Sequence, residues 1–367
     1  MSGETHVGSY FRALEAIRGL TALAIVLYHL DDRLGLPFYF DNFFIGVDLF
    51  FVLSGFVIFH VYGGRINDRT GYARFLWLRF ARIYPLHFAT LIAFAAFQAV
   101  VTAIGGDFEA TIKPMLAHND VWSFIGNVLA IQGLNTFAGP TFNIPSWSIS
   151  TELYTYAVFG ALFWAGLIRP DKPFVVPVVI VVASYFLLVT QASQFQVMED
   201  LGFIRNTLGF AVGIIARGVF ASLPTPTART LTVLQAGAVV LLLGLLALPI
   251  RVAPYAIYTT PILCAFLIVG FAYDRAGLCP ILLLPPLQWL GRISYALYLT
   301  HYMVVLAISA LYLTAVQHGW IVGALWKQWA LIPVVAAITL AIAHVTYHRL
   351  ELPAKAFLRM QWRAVPS

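Results

Sequence analysis

The amino-acid sequence predicts an all-α integral membrane protein with about ten transmembrane helices and both termini in the cytoplasm. Three observations carry the prediction. Apolar residues make up 60% of the 367 positions and charged ones only 10%, with a mean hydropathy of +0.84; a soluble domain carries about a quarter charged residues. Ten stretches approach the roughly 20 mostly apolar residues that a helical span requires: 14–33, 44–63, 83–104, 148–168, 173–190, 203–222, 230–249, 254–273, 290–313 and 328–347. The basic residues between them are also lopsided. With the amino terminus in the cytoplasm, seventeen of the 22 lysines and arginines fall on that side. Only Arg33, Lys113, Arg251 and Lys327 fall on the other, with Arg205 at a span edge.

Several classes are excluded on the same grounds. A charge of +6 would suggest a nucleic-acid binder in a soluble protein, but here the basic residues punctuate apolar runs, and no nucleic-acid partner is expected. Cys264 and Cys279 lie in or beside apolar segments without metal-ligand spacing, and no metal is expected. The polar start MSGETHVGSYFR is followed by no small-residue cleavage site after the first apolar run, which reads as a retained helix. No internal repeat, low-complexity linker or soluble domain is evident, and the tail after Pro353 is too short to fold alone.

The first span holds EAIRGLTALAIVLYHL. Arg18 and His29 stand almost three whole turns apart, so both project from one face about 16 Å apart along the axis, in a stripe with Glu15, Ala22 and Ile25. An ionisable ring inside a span is either hydrogen-bonded to orient a neighbour or functional. The second span contains GVDLFFVLSGF: Asp48 needs a partner inside the bilayer, whereas Ser54 and Gly55 suit close helix packing. A basic loop leads into FLWLRFARIYPLH, where Arg79 and Arg82 share one helical face. Positive-inside charge explains most of that loop's arginines, but a pair on one face also suits a phosphate-bearing ligand.

The stretch VWSFIGNVLAIQGL is too short and polar to cross and reads as an interfacial or re-entrant piece of the longest loop. In NIPSWSISTELYTY, Ser148 or Ser150 is a possible helix cap after Pro145, and Glu152 falls near the depth of His29. A carboxylate and an imidazole at matched depth could do proton chemistry together. The ninth span opens with LGRISYALYLTHYMV, placing Tyr295, Tyr298 and His301 at helical spacing. The last span ends in YHRLELPAKAFLR, with Glu351 expected to balance nearby arginines. His60, His87, His344 and His348 sit near span ends and need no special role.

These blocks, in this order, resemble the acyltransferase-3 family of integral-membrane acyltransferases. The matching pieces are LEAIRGLTALAIVLYH, GVDLFFVLSGF, RFARIYP, PSWSISTELYTY, LGRISYALYLTH and LELPAKAFLR, running from residue 14 to about 359. Each block is weak alone, and six in sequence are specific. The resemblance implies transfer of an acyl group, most often acetyl, from acyl-coenzyme A to a hydroxyl, usually of a cell-surface carbohydrate or lipid-linked sugar. It also implies a cytoplasmic segment over 1–13, a transmembrane acyltransferase domain over 14–350 and a short cytoplasmic tail over 351–367, in a bacterial inner (plasma) membrane. By the same likeness Arg18 and His29 are the pair most tied to activity, Arg79 and Arg82 match an arginine motif, and Glu152 matches an acidic motif. Asp48, Ser54, Trp147, Tyr298 and His301 lie in the matching blocks as further candidates. Glu15 stands where the family more often has aspartate, and Thr300 where a tryptophan is common. The second departure bears on the acceptor, the acyl group and the role of His301.

Some family members add an extracytoplasmic hydrolase-like domain, and a stand-alone type without one is expected here. On this reading Arg18, Arg79 and Arg82 hold the donor's phosphates, the pantetheine arm runs along the Arg18–His29 face, and His29 acts as general base with Glu152 orienting it. A proton-coupled secondary transporter, or a non-catalytic partner in polysaccharide export, is the alternative that mid-membrane carboxylates and histidines would also suit.

Overall fold

With no water in a bilayer to receive them, backbone N–H and C=O groups must pair within their own segment, so apolar runs of this kind become helices. The computed structural model describes residues 11–35, 41–191, 198, 200–248, 255–321 and 325–363. Residues 1–10, Arg251 and the last four residues of the tail lie outside these. Among the described residues the helices are α1 (Arg12–Leu34), α2 (Gly46–Tyr62), α3 (Arg69–Ile104), α4 (Gly106–Ile112), α5 (Val121–Val128), α6 (Trp147–Trp164), α7 (Val175–Gln191), α8 (Gly202–Ser222), α9 (Ala228–Ala247), α10 (Thr260–Phe271), α11 (Cys279–Leu282), α12 (Pro285–Gln317), α13 (Leu325–Thr346) and α14 (Leu352–Arg363). No strand is present among them, apart from an isolated bridge between Arg169 and Lys172.

A helix lies at each of the ten predicted stretches. Among the described residues seven helical segments are long and apolar enough to cross a membrane: Arg12–Leu34, Asn42–Tyr62, Arg69–Ile104, Gly202–Ser222, Ala228–Ala247, Pro285–Gln317 and Trp329–Trp362. The apolar helices Val175–Gln191 and Ala256–Phe271 are shorter.

Two local expectations are corrected, at the start of α3 and at the cap of α6. Helix α3 begins at Arg69 and not near 83, because the Asp68 side chain accepts the Gly71 N–H at 2.6 Å and starts the helix early. Its 36 residues extend to about 54 Å, well beyond a hydrocarbon core of about 30 Å. Neither Ser148 nor Ser150 caps α6: their hydroxyls donate to the carbonyls of Pro145 (3.0 Å) and Ala130 (2.6 Å) instead. The tail is no loose end as far as Arg363. It forms α14, which Trp77 Nε1 on α3 holds by donating to the Leu358 carbonyl at 2.8 Å. A five-residue π-helical turn, Tyr347–Glu351, joins α13 to α14.

Two glycine contacts set the bundle's tightest seams. On α1, a Cβ added to Gly19 would come 2.6 Å from the backbone nitrogen of Gly291 on α12. A Cβ on Gly291 would in turn strike the Glu15 carbonyl. Likewise α2 and α8 meet where Gly55 faces the Phe210 carbonyl and Gly213 the Val52 carbonyl. Replacing Gly291 by leucine is therefore expected to force α1 off α12 and cost about 1–3 kcal/mol, read as a lowered thermal-unfolding midpoint in detergent. Phe11 offers α1 no side-chain cap, and the carboxylate of Asp274 takes that place, accepting from the N–H groups of Arg12 (2.8 Å) and Ala13 (2.6 Å).

The long loop after α4 folds back on the bundle. Asp120 and Ser123 form a capping box that starts α5, and hydrogen bonds from Ser123 hold the Asp120 carboxyl below its usual range. The α5 end is then tied to α3 by bonds from the Tyr84 hydroxyl to the Val128 carbonyl (2.6 Å) and from His87 Nε2 to the Asn127 carbonyl (2.9 Å). Asn143 donates to the Leu299 carbonyl at 2.9 Å, which pins the loop's last turn against α12.

Candidate active site

Arg18 and His29 both meet α12, as one face of α1 should. Arg18 donates through Nε to Ser294 Oγ (2.8 Å) and through a terminal nitrogen to the Gly291 carbonyl (2.9 Å), with Glu15 3.6 Å away. Eleven residues on, the His29 ring lies 5.2 Å from the His301 ring and 5.0 Å from that of Tyr302, centroid to centroid. Contacts rising together along both chains make α1 and α12 parallel.

His301 is fully buried at 0% exposure. Its Nδ1 lies 2.8 Å from the Tyr298 carbonyl and 3.2 Å from that of Leu297. Carbonyls only accept, so Nδ1 carries the hydrogen, and the lone pair of the neutral ring sits on Nε2. That Nε2 is buried with no hydrogen-bond partner among the described residues. An unpaired basic nitrogen costs free energy in such a place, and here it stands next to a second imidazole.

A narrow cleft with about 30 Å³ of free space opens beside His29, lined among others by Tyr28, Pro145, Trp147, Arg205 and Tyr298. Tyr298 anchors its wall: its hydroxyl lies 2.8 Å from Ser148 Oγ and donates to the Pro145 carbonyl at 3.0 Å. Behind the cleft is the partner Asp48 needs. Arg205 grips Asp48 with Nε at 2.9 Å and a terminal nitrogen at 2.6 Å, while its guanidinium lies over the rings of Phe44 and Trp147. Both side chains are at most 2% exposed. The pair is thus a structural wall of the cleft, and Trp147 is shared between the two.

Glu152 is joined elsewhere. It accepts a short hydrogen bond from the Tyr156 hydroxyl and another from Ser54 Oγ at 2.9 Å, and these two hydroxyls are themselves 2.9 Å apart. No hydrogen bond or ion pair joins Glu152 to His29 among the described residues.

The other end of the seam is basic. Arg79 donates to the Tyr62 hydroxyl at 3.2 Å, stacks over that ring at 5.2 Å and keeps a buried Nε without a partner among the described residues. Arg82 is close enough to repel both Arg18 and Lys355, and Arg359 also repels Lys355. Buried Glu351, at 5% exposure, is attracted to Arg82, Lys355 and Arg18. Two carboxylates, Glu15 and Glu351, among the five cations Arg18, Arg79, Arg82, Lys355 and Arg359 leave this end of the seam positively charged.

Four contributors escape a sequence reading. Arg205 counts there only as a charge at a span edge, although a lone Asp48 asks for just such a partner. Lys355 and Arg359 read as tail charges, because nothing local signals the π-turn that turns Lys355 partly inward. Tyr302, beside His29, carries no polar signal of its own in an aromatic-rich span.

Comparison with known proteins agrees with this architecture. A family model described as an acyltransferase domain matches residues 11–348. The chain is 32% identical over 195 residues to protein 2 of the picA locus of Rhizobium radiobacter, covering 50% of this chain and 96% of that protein. It is 24% identical over 383 residues to the putative peptidoglycan O-acetyltransferase YrhL of Bacillus subtilis, and 22% identical over 369 residues to the peptidoglycan O-acetyltransferase OatA of Listeria monocytogenes. The match takes in 97% and 94% of this chain respectively but only 56% of either relative. No solved structure matches the chain. With a family model over almost its whole length and membrane-spanning helices beneath it, the chain is a multi-pass membrane protein that belongs to the acyltransferase-3 family of O-acyltransferases.

Proposed function

We propose that the protein moves an acyl group, acetyl foremost, from acyl-coenzyme A to a hydroxyl of a carbohydrate or lipid-linked acceptor. In this reading ten spans lie in a bacterial inner membrane with both termini cytoplasmic. One observation carries it: Arg18 and His29 face the same parallel helix, with the cations at one end of the seam and two adjoining imidazoles at the other. The cationic end suits the donor's phosphates, with Arg79 and Arg82 offering forked donors. The arm then follows the seam toward His29, about 16 Å away along the helix.

His29 accepts the proton of the acceptor hydroxyl as its oxygen attacks the thioester carbon. The carbon–sulfur bond breaks, and the departing thiolate takes the proton back from the imidazolium. His301, whose ring lies 5.2 Å from that of His29 and whose Nε2 has no hydrogen-bond partner among the described residues, is the group near enough to share that proton. Glu152 is assigned the positioning of Ser54 and Tyr156. The names of the two peptidoglycan O-acetyltransferases favour a cell-envelope carbohydrate as acceptor.

The test is titration calorimetry of acetyl-coenzyme A with the purified protein, with donor hydrolysis followed in parallel. Arg79→Gln and Arg82→Gln are each expected to weaken binding about tenfold, since each removes a charge-assisted contact. His29→Ala should bind within about twofold of the parent yet lose hydrolysis. A folded parent protein that binds no acetyl-coenzyme A would overturn the assignment.

A further inference from the structure

A second cationic recess lies at the same basic end of the bundle, on the far side of α2 from Tyr62. It has a volume of about 320 Å³ and is framed by the end of α2, the turn at Pro170 and the last turns of α8, with Arg65, His60 and Arg217 on its walls. Gly64 and Gly218 also line it, so that no side chain fills the space at those two positions. No aspartate or glutamate is among its lining residues.

The hydrogen bonding inside makes it a donor-only surface. Arg217 Nε donates to His60 Nδ1 at 2.8 Å, so the neutral His60 ring carries its hydrogen on Nε2. The terminal nitrogens of Arg217 and the whole guanidinium of Arg65 have no side-chain partner among the described residues. Of the neighbouring carboxylates, Asp171 is taken by Arg169 at 3.1 Å on the exposed rim and Asp68 by the Gly71 N–H at 2.6 Å. Two guanidinium groups without a counter-ion around one cavity repel each other unless an anion enters. Their forked donors match the oxygens of a phosphate group. The recess sits where two membrane-length helices end, at the depth where phosphate is met either as a lipid headgroup or on a soluble molecule.

We infer that this recess is a phosphate-binding site, separate from the Arg18–Arg79–Arg82 cluster, which takes a phosphate ester through Arg65 and Arg217. It is independent of the acyl-transfer reading, and its test is built to show that. Thermal unfolding of the full-length protein in detergent would be followed with two probes: mixed micelles containing phosphatidylglycerol, and sodium phosphate at ionic strength matched by sodium chloride. A rise in midpoint with the first probe alone assigns the lipid headgroup. A rise with the second assigns a free phosphate.

Arg65→Gln and Arg217→Gln should each weaken the responding probe about tenfold, while Arg229→Gln should leave it unchanged. Arg65 is exposed and holds no side chain in place, so its substitution leaves the fold intact even where Arg217→Gln, which cuts the bond to His60, does not. No response in the parent protein, or a response undiminished in Arg65→Gln, overturns the site.

Discussion

Replacing His29 by alanine is expected to cut acyl transfer by about 10²–10⁴-fold in a protein that still folds and still binds the donor. His29 is half-buried, receives no hydrogen bond that holds a helix in place, and touches its neighbours through ring faces, so the loss falls on chemistry and not on packing. His301→Ala makes the argument sharper. Its ring is buried and its Nδ1–H is committed to α12 carbonyls, which leaves Nε2 as the one atom able to act. A proton-sharing role predicts a fall in kcat with the donor's KM kept within about twofold. A purely structural role would lower the amount of folded protein and leave kcat per folded molecule unchanged. Unimpaired transfer by folded His29→Ala would remove the imidazole seam as the reaction centre.

The second large effect is on folding. Asp48→Ala strands the Arg205 guanidinium in an apolar wall at 2% exposure, and an uncompensated buried charge costs about 3–5 kcal/mol. The midpoint of thermal unfolding should fall accordingly, and Arg205→Ala should do the same from the other side. The double change Asp48→Leu with Arg205→Met is expected to recover most of the loss, because the desolvation of both ions goes with them. Failure of the double variant to recover would mean that the pair is needed for the shape of the cleft through Phe44 and Trp147, not only for its own neutrality.

Much of this molecule is legible in its sequence because a bilayer leaves few options. Apolar runs had to become helices, and the interval from Arg18 to His29 had to put both on one face; the structure has that face against α12. The pairing of Asp48 with Arg205 was not legible, since 157 residues separate them and neither flanking sequence refers to the other. Matched depth suggested Glu152 as the neighbour of His29, but depth fixes one coordinate of three. Azimuth around the bundle carries Glu152 to Ser54 and Tyr156. The early start of α3 was written in Asp68, although a cap in a polar loop is hidden by the search for apolar runs. The inward turn of Lys355 depends on a π-turn, and no residue type marks one.

That turn at Tyr347–Glu351 works as a change of phase. A π-turn takes in one extra residue without starting a new turn, which rotates everything after it by about 100° relative to an uninterrupted α-helix. Upstream, Val334, Ile338 and Val345 point out of the bundle. At its last residue Glu351 is buried, and downstream Lys355 is only half-exposed. One continuous rod thereby shows an oily side over one length and tucks a charged side inward over the next. Deleting a single residue within 347–351 would bring the two lengths into step, turning Lys355 away from Arg82 without altering any charge.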